Sequence, residues 1–229
     1  MDSTTPAPMP QAAERPVVIG LLGGIGSGKS SVARHLAAAG AAWLDADRLA
    51  HAALDAPDVV AALRERHGAS LTVTGDPPRI DRASLGRLVF GSAPPQREAL
   101  AHLESLLHPR VRAELLRRLD AHLAQRDVPA VLLDVPLLLE TGAFAPRCDL
   151  LLFVESESSA RAARVAARHG LSAAEFARRE ALQWPVAEKR KRADVVLSNQ
   201  GDAAALERAV ADWLAAAGGF AGLPRRPRS

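Results

Sequence analysis

Five short runs of aliphatic residues mark this chain, at 17–22, 42–44, 130–134, 150–154 and 195–198. Most are nearly continuous rather than alternating in polarity, the pattern of strands buried on both faces of a parallel sheet. Stretches with helical spacing separate them. Together they predict an α/β fold, a doubly wound five-stranded parallel sheet with helices on both faces. Between the second and third runs the gap is far longer than one crossover helix needs. Candidate helices fill it at 57–67, 81–90, 95–107 and 109–123, with 72–79 loop-like. Several carry proline in the first turn, where its missing N–H costs little. This pattern predicts a helical insert beside the sheet, suited to a second substrate. After the fourth run come two helices, the first stopped by Gly170 and the second opened by the capping box Ser172-Ala173-Ala174-Glu175. They read as a lid. A last helix, 203–216, follows Gly201-Asp202.

The expected organisation is a core of 16–47, 128–156 and 193–217, an insert of 48–127 and a lid of 157–192. Pro- and Ala-rich residues 1–15, and Gly-rich then Pro/Arg-rich residues 218–229, read as disordered tails. The head has no basic segment followed by an apolar one, so it is not a secretory signal. No apolar run approaches a membrane span. A soluble cytoplasmic protein is expected.

Candidate chemistry begins right after the first run. Gly23-Gly24-Ile25-Gly26-Ser27-Gly28-Lys29-Ser30 fits the phosphate-loop pattern G-x-x-x-x-G-K-[ST], in its required setting between a strand and a helix. Gly24, Gly26, Ser27 and Gly28 would turn backbone N–H groups inward around phosphate oxygens, with Ser31 behind them in the first turn of a helix whose dipole favours anions. Lys29 would reach the β/γ-phosphates of ATP, and the Ser30 hydroxyl would sit on Mg²⁺.

Phosphoryl transfer also needs a carboxylate to orient the acceptor and take its proton. Asp47, just beyond the second run in Leu44-Asp45-Ala46-Asp47, is the preferred base. Asp45 is then a Mg²⁺-water ligand or a structural partner. Either could instead cap the helix that follows. Asp134 ends the third run, where a carboxylate can hold the Mg²⁺ shell.

The charge is unevenly spread. The chain is net +3, while 161–192 holds nine basic and three acidic residues and is net +6. Arg161, Arg164 and Arg168 share one helix face. A lid that closes over phosphates fits this charge. Binding of nucleic acid fits it less well, because only Phe176 and Trp184 offer stacking surfaces there. A GTP switch is excluded by the lack of a guanine-reading N-K-x-D. A single cysteine, Cys148, excludes an internal disulfide and reads as an inert thiol. The histidines show no metal-ligand spacing.

The loop followed by Asp45-Ala46-Asp47 resembles the dephospho-coenzyme A kinase family, a group with the P-loop NTPase fold. So do Leu107-His108-Pro109, Val135-Pro136-Leu137-Leu138-Leu139-Glu140, the arginines Arg164 and Arg168, Gln183 with Lys189, and Ala193-Asp194 through Asn199-Gln200-Gly201. The likeness covers roughly 17–214, with Leu22 standing where the family usually has threonine. It implies transfer of the ATP γ-phosphate to the 3′-hydroxyl of dephospho-CoA. Asp47 is then the acceptor-orienting base and Arg164 a catalytic lid arginine, with Arg168 beside ATP. The resemblance places His108, Leu137, Glu140 and Gln183 around the acceptor, and the Asn199-Gln200-Gly201 loop at adenine. Another small-molecule or nucleoside monophosphate kinase is the competing assignment.

Overall fold

The computed structural model describes residues 15–73, 75, 77–91 and 93–227. The chain enters through β1 (Val17–Leu22), α1 (Lys29–Ala38) and β2 (Ala42–Asp45). It then forms α2 (Ala46–Ala53), α3 (Pro57–His67), the hairpin strands β3 (Thr72–Val73) and β4 (Arg79–Ile80), α4 (Arg82–Val89) and the long α5 (Pro94–Gln125). It returns through β5 (Ala130–Asp134), β6 (Leu150–Glu155), α6 (Ser158–His169), α7 (Ala173–Ala181), α8 (Val186–Lys191), β7 (Val195–Ser198) and α9 (Ala203–Ala216). Two compact units result. One runs to Leu44 and resumes at Asp120; the other is Asp45–Leu119.

The first unit is the expected five-stranded parallel sheet, in the order β2-β5-β1-β6-β7. Val17 pairs with Ala130 on one side of β1, and Ile19 with Leu150 on the other. Strand β1 is central and wholly buried, which is why it reads as an unbroken apolar run. The chain leaves β1 toward one edge and later returns to build the other. The carboxyl end of β1 is thus the switch point where such sheets bind ligands. One core joins Ile19 and Leu132 of the sheet to Leu36 of α1 and to Leu206 and Val210 of α9.

The C-terminal segment departs from expectation. Residues 218–227 are not a loose tail: Phe220 and Leu223 are 6% and 4% exposed and belong to that same core. The Arg226 N–H donates to the Asp149 carbonyl at 2.7 Å, and its guanidinium pairs with Asp194. Arg15, also expected to be loose, donates to the Asp149 carboxylate at 2.7 Å. Averaged composition hides two apolar anchors among glycines, prolines and arginines. Residues 1–14, 228 and 229 lie outside the described residues.

The second unit packs Val59, Val60 and Leu63 of α3 against Leu85 and Val89 of α4 and Leu103 and Leu107 of α5. Asp81 caps α4 by accepting from the Ala83 N–H. The 72–79 segment, expected as a loop, contains the short antiparallel β3–β4 hairpin. The two helices expected around Pro109 are one helix, α5, with the proline inside it. Proline withholds one N–H there, yet buried leucines stand on both sides of it, Leu103 and Leu107 before and Leu115 and Leu119 after. The 157–192 segment, expected as a lid of two helices, has three. The third, α8, starts directly after Pro185. Among the described residues no helix is long and apolar enough to cross a membrane.

Candidate active site

The phosphate loop leaves the carboxyl end of β1 and feeds α1 directly. Gly28 is the residue before the helix, at φ 99, and Gly26 lies at φ 72. Both are left-handed conformations that L side chains resist. Space is equally restrictive. A Cβ on Gly24 would strike the Arg161 guanidinium, and one on Gly28 the Asn199 amide. The loop closes with the Ser27 N–H donating to the Gly24 carbonyl at 3.2 Å. Ser27 is 1% exposed, and its hydroxyl has no hydrogen-bond partner among the described residues. A tight glycine cradle with an orphaned buried hydroxyl, at a helix N-terminus, fits a bound phosphate.

Lys29 extends back over this loop, its ammonium donating to the Gly23 and Gly24 carbonyls, each at 3.3 Å. The Ser30 hydroxyl donates to the Asp134 carboxylate at 3.3 Å. Asp134 ends β5 and is 8% exposed. The loop hydroxyl and the strand-end carboxylate therefore meet as two oxygen donors of the kind Mg²⁺ prefers. The Ser31 hydroxyl does not join them; it accepts from Arg34 on α1 at 2.9 Å.

The arginines of α6 divide in role. Arg164 donates to the Gly26 carbonyl at 3.3 Å, the Ser156 hydroxyl at 2.7 Å and the Asn199 carbonyl at 2.9 Å. Arg168 is exposed, one turn on. Asn199 is buried, and its amide donates to the Ser27 carbonyl at 2.7 Å. Its side chain therefore braces the loop. Gln200 and Gly201 beside it are exposed.

A second cluster lies within the same unit. Glu140 accepts from the Trp184 N–H at 3.0 Å and pairs with Lys189 at 2.8 Å, with the two side chains 12% and 5% exposed. Lys189 also donates to Gln183 at 2.9 Å. Burial pushes the Glu140 carboxyl up, but the hydrogen bonds from Lys189 and the Trp184 N–H outweigh it and hold the group below its ordinary range. Leu137, three residues earlier, has φ 57 and an exposed side chain. A bulky residue held in that region marks stored strain, which persists where surrounding structure enforces it. Sequence reasoning named Leu137 but had no signal for its backbone, and it treated Lys189 only as motif spacing.

Asp45, Asp47 and His108 belong to the second unit. The N-cap of α2 is Asp45, which accepts from the Arg48 N–H at 3.0 Å. Asp47 is therefore not the cap; it stands exposed in the first helical turn. His108 is exposed on α5. Cys148 is inert, as expected: burial, with the nearby Asp149 charge, pushes its thiol up to about 12.

The dephospho-CoA kinase family model matches residues 17–205. The chain belongs to the dephospho-CoA kinase family. A curated relative of that name from Thermus thermophilus is 41% identical over 213 residues, covering 90% of this chain and 95% of its own. Another, from a Synechococcus strain, is 43% identical over 185 residues, or 80% of this chain and 84% of its own. A solved structure from Thermus thermophilus aligns at TM-score 0.61 and 40% identity, covering 89% of this chain and 98% of that one. The solved dephospho-CoA kinase from Campylobacter jejuni shares the fold at TM-score 0.64 and 23% identity, covering 87% of this chain and 96% of that one. Family membership makes this chain an ATP-using kinase of coenzyme A synthesis that phosphorylates the 3′-hydroxyl of dephospho-CoA. The competing monophosphate-kinase assignment is set aside.

Proposed function

We propose that this chain carries out the transfer with Lys29, Asp47 and Arg164, on ATP held by the 23–31 loop and with Mg²⁺ held at Ser30 and Asp134. The observation that supports it most is the Ser30–Asp134 pair, two residues 104 positions apart that meet at 3.3 Å. A Mg²⁺ ion held by Ser30 and Asp134 would neutralise charge on the nucleotide phosphates. Lys29 exchanges its two long bonds to loop carbonyls for phosphate oxygens. Arg164, anchored on the Gly26 carbonyl, places positive charge beside the transferring group, with Arg168 behind it. Asp47 orients the acceptor hydroxyl and takes its proton. The 3′-oxygen attacks the γ-phosphorus, the bond from that phosphorus to the bridging oxygen breaks, and ADP leaves.

We assign dephospho-CoA binding to His108, Leu137, Glu140 and Gln183, and adenine to the Asn199-Gln200-Gly201 loop. The Glu140–Lys189–Gln183 network supports a preorganised wall there, because each member is locked by another. The working location is the cytoplasm, and neither nucleic acid nor a membrane takes part. The test is ADP release at fixed Mg·ATP with dephospho-CoA, AMP, adenosine, shikimate and gluconate in turn, and with single-stranded DNA. Only dephospho-CoA should turn over well, with mass spectrometry locating the new phosphate at its 3′ position. Adenosine should be slow, since it lacks the pantetheine arm whose remote contacts align the ribose. Preference for AMP, or stimulation by DNA alone, would overturn the assignment.

A further inference from the structure

Arg161 is among the few buried charged residues in the described part of the chain, at 4% exposed, and the transfer as described does not use it. Its guanidinium has three separate attachments. Nε donates to the Ser156 carbonyl at 3.1 Å, and Nη1 donates to the Ile25 carbonyl of the phosphate loop at 3.4 Å. Nη1 also pairs closely with Glu180 near the end of α7. The guanidinium lies 5.6 Å from the centre of the Phe176 ring, on the same helix. Its backbone is engaged too, since a Cβ on Gly26 would come within 2.7 Å of the Arg161 carbonyl oxygen.

A buried guanidinium loses hydration, and removing its carboxylate would leave that loss uncompensated. Its geometry also constrains the loop. In a trans peptide the carbonyl and the N–H point in opposite directions. A carbonyl of Ile25 turned toward Arg161 therefore turns the N–H of Gly26 away from it. One helical turn on, Arg164 holds the next carbonyl, that of Gly26. Two successive loop peptides are thus pinned by two arginines of α6, and the first of these is fastened in turn to α7.

We propose that Arg161 is a positioning residue: through Glu180 it couples the placement of α7 to the backbone orientation of the phosphate loop, and so sets nucleotide affinity from the lid. This rests on the reading of that loop as the ATP site. Neither residue needs to touch ATP. The guanidinium fork is essential, because its attachments diverge in directions that one ammonium cannot serve together.

The experiment measures ADP affinity by calorimetry, KM for each substrate, kcat and melting temperature in Arg161→Gln, Arg161→Lys, Glu180→Ala and the Arg161→Gln/Glu180→Ala double variant. Arg161→Gln should weaken ADP and raise KM for ATP roughly tenfold, the worth of one charge-assisted hydrogen bond. KM for dephospho-CoA should stay within about twofold, since the effect lies on the nucleotide side. Arg161→Lys should resemble Arg161→Gln rather than wild type, although it keeps the charge. Glu180→Ala should weaken ADP about fivefold, with no further loss when added to Arg161→Gln, as expected of partners in one linkage. Glu180 is partly exposed, so its replacement tests the idea even if Arg161→Gln does not fold. Unchanged ADP affinity in Glu180→Ala, full rescue by lysine, or additive losses in the double variant would each overturn the coupling. Failure of the wild-type chain to bind ADP at all would instead overturn the assignment of the loop.

Discussion

Truncating Phe220 to alanine should destabilise this protein far more than its place near the chain end suggests. Its side chain is 6% exposed and packs in the core that contains Ile19, Leu132 and Val210. Removing a buried phenylalanine costs about 3–5 kcal/mol, from lost transfer energy plus the cavity left behind. In a chain of this size each kcal/mol moves the melting temperature by about 2–4 °C, so a drop of roughly 10 °C is expected. Arg226→Ala should cost only about 1 kcal/mol, because its ion pair with Asp194 is partly exposed. Deleting residues 218–229 removes both Phe220 and Leu223, and should approach the whole stability of a typical domain, about 5–15 kcal/mol. Thermal unfolding followed by circular dichroism, with urea midpoints as a second measure, reads these differences. If Phe220→Ala melts within about 2 °C of wild type, the segment is not part of the core and the argument fails.

Three further outcomes are expected. Lys29→Ala should abolish turnover while circular dichroism stays native, because it removes the charge at the β/γ-phosphates and no core packing; near-normal activity would show that the loop is not catalytic. Asp47→Asn should keep ATP binding but collapse transfer, whereas Asp45→Ala should lose about 1 kcal/mol of stability through its lost cap; the reverse pattern in paired activity and melting assays would exchange their roles. Glu140→Gln leaves Lys189 buried without its anion and should cost about 3 kcal/mol at neutral pH. The folded carboxyl is held below its ordinary 4.5, so its stabilisation is full above that range and fades as pH falls through it. The gap between wild type and variant should therefore narrow on acidification from ~pH 6 to ~pH 3.5 in urea titrations, and a constant gap would mean that the pair does not carry the effect.

Features whose cause lies within a few neighbouring residues were legible in the chain alone. An unbroken aliphatic run such as Val17–Leu22 can be satisfied only between two covering layers, so β1 and β5 emerge with the expected bounds. Much of the phosphate loop is local too, because Gly23, Gly26 and Gly28 hold backbone angles that L side chains resist at those positions. Helix caps are local too, although sequence could not decide between Asp45 and Asp47. That choice depends on which residue first leaves the extended conformation, and this follows from where pairing in the sheet ends.

Tertiary structure decided everything that joins residues far apart in sequence. Spacing put Arg161, Arg164 and Arg168 on one face, but only packing buried the first against Glu180, hung the second on the Gly26 carbonyl and left the third exposed. The same holds for Asn199, whose amide braces Ser27 from 172 positions away. Helix α5 continues through Pro109 with buried leucines on both sides of it, a non-local gain that offsets a local penalty. Residues 218–227 look solvent-bound by composition and fold inward because Phe220 and Leu223 join the core formed by the sheet, α1 and α9. Local propensity is worth about 1 kcal/mol per residue, or about 3 for a proline inside a helix, whereas burial of each large apolar side chain contributes about 1.5–3 kcal/mol, so several buried side chains together outweigh the local preference.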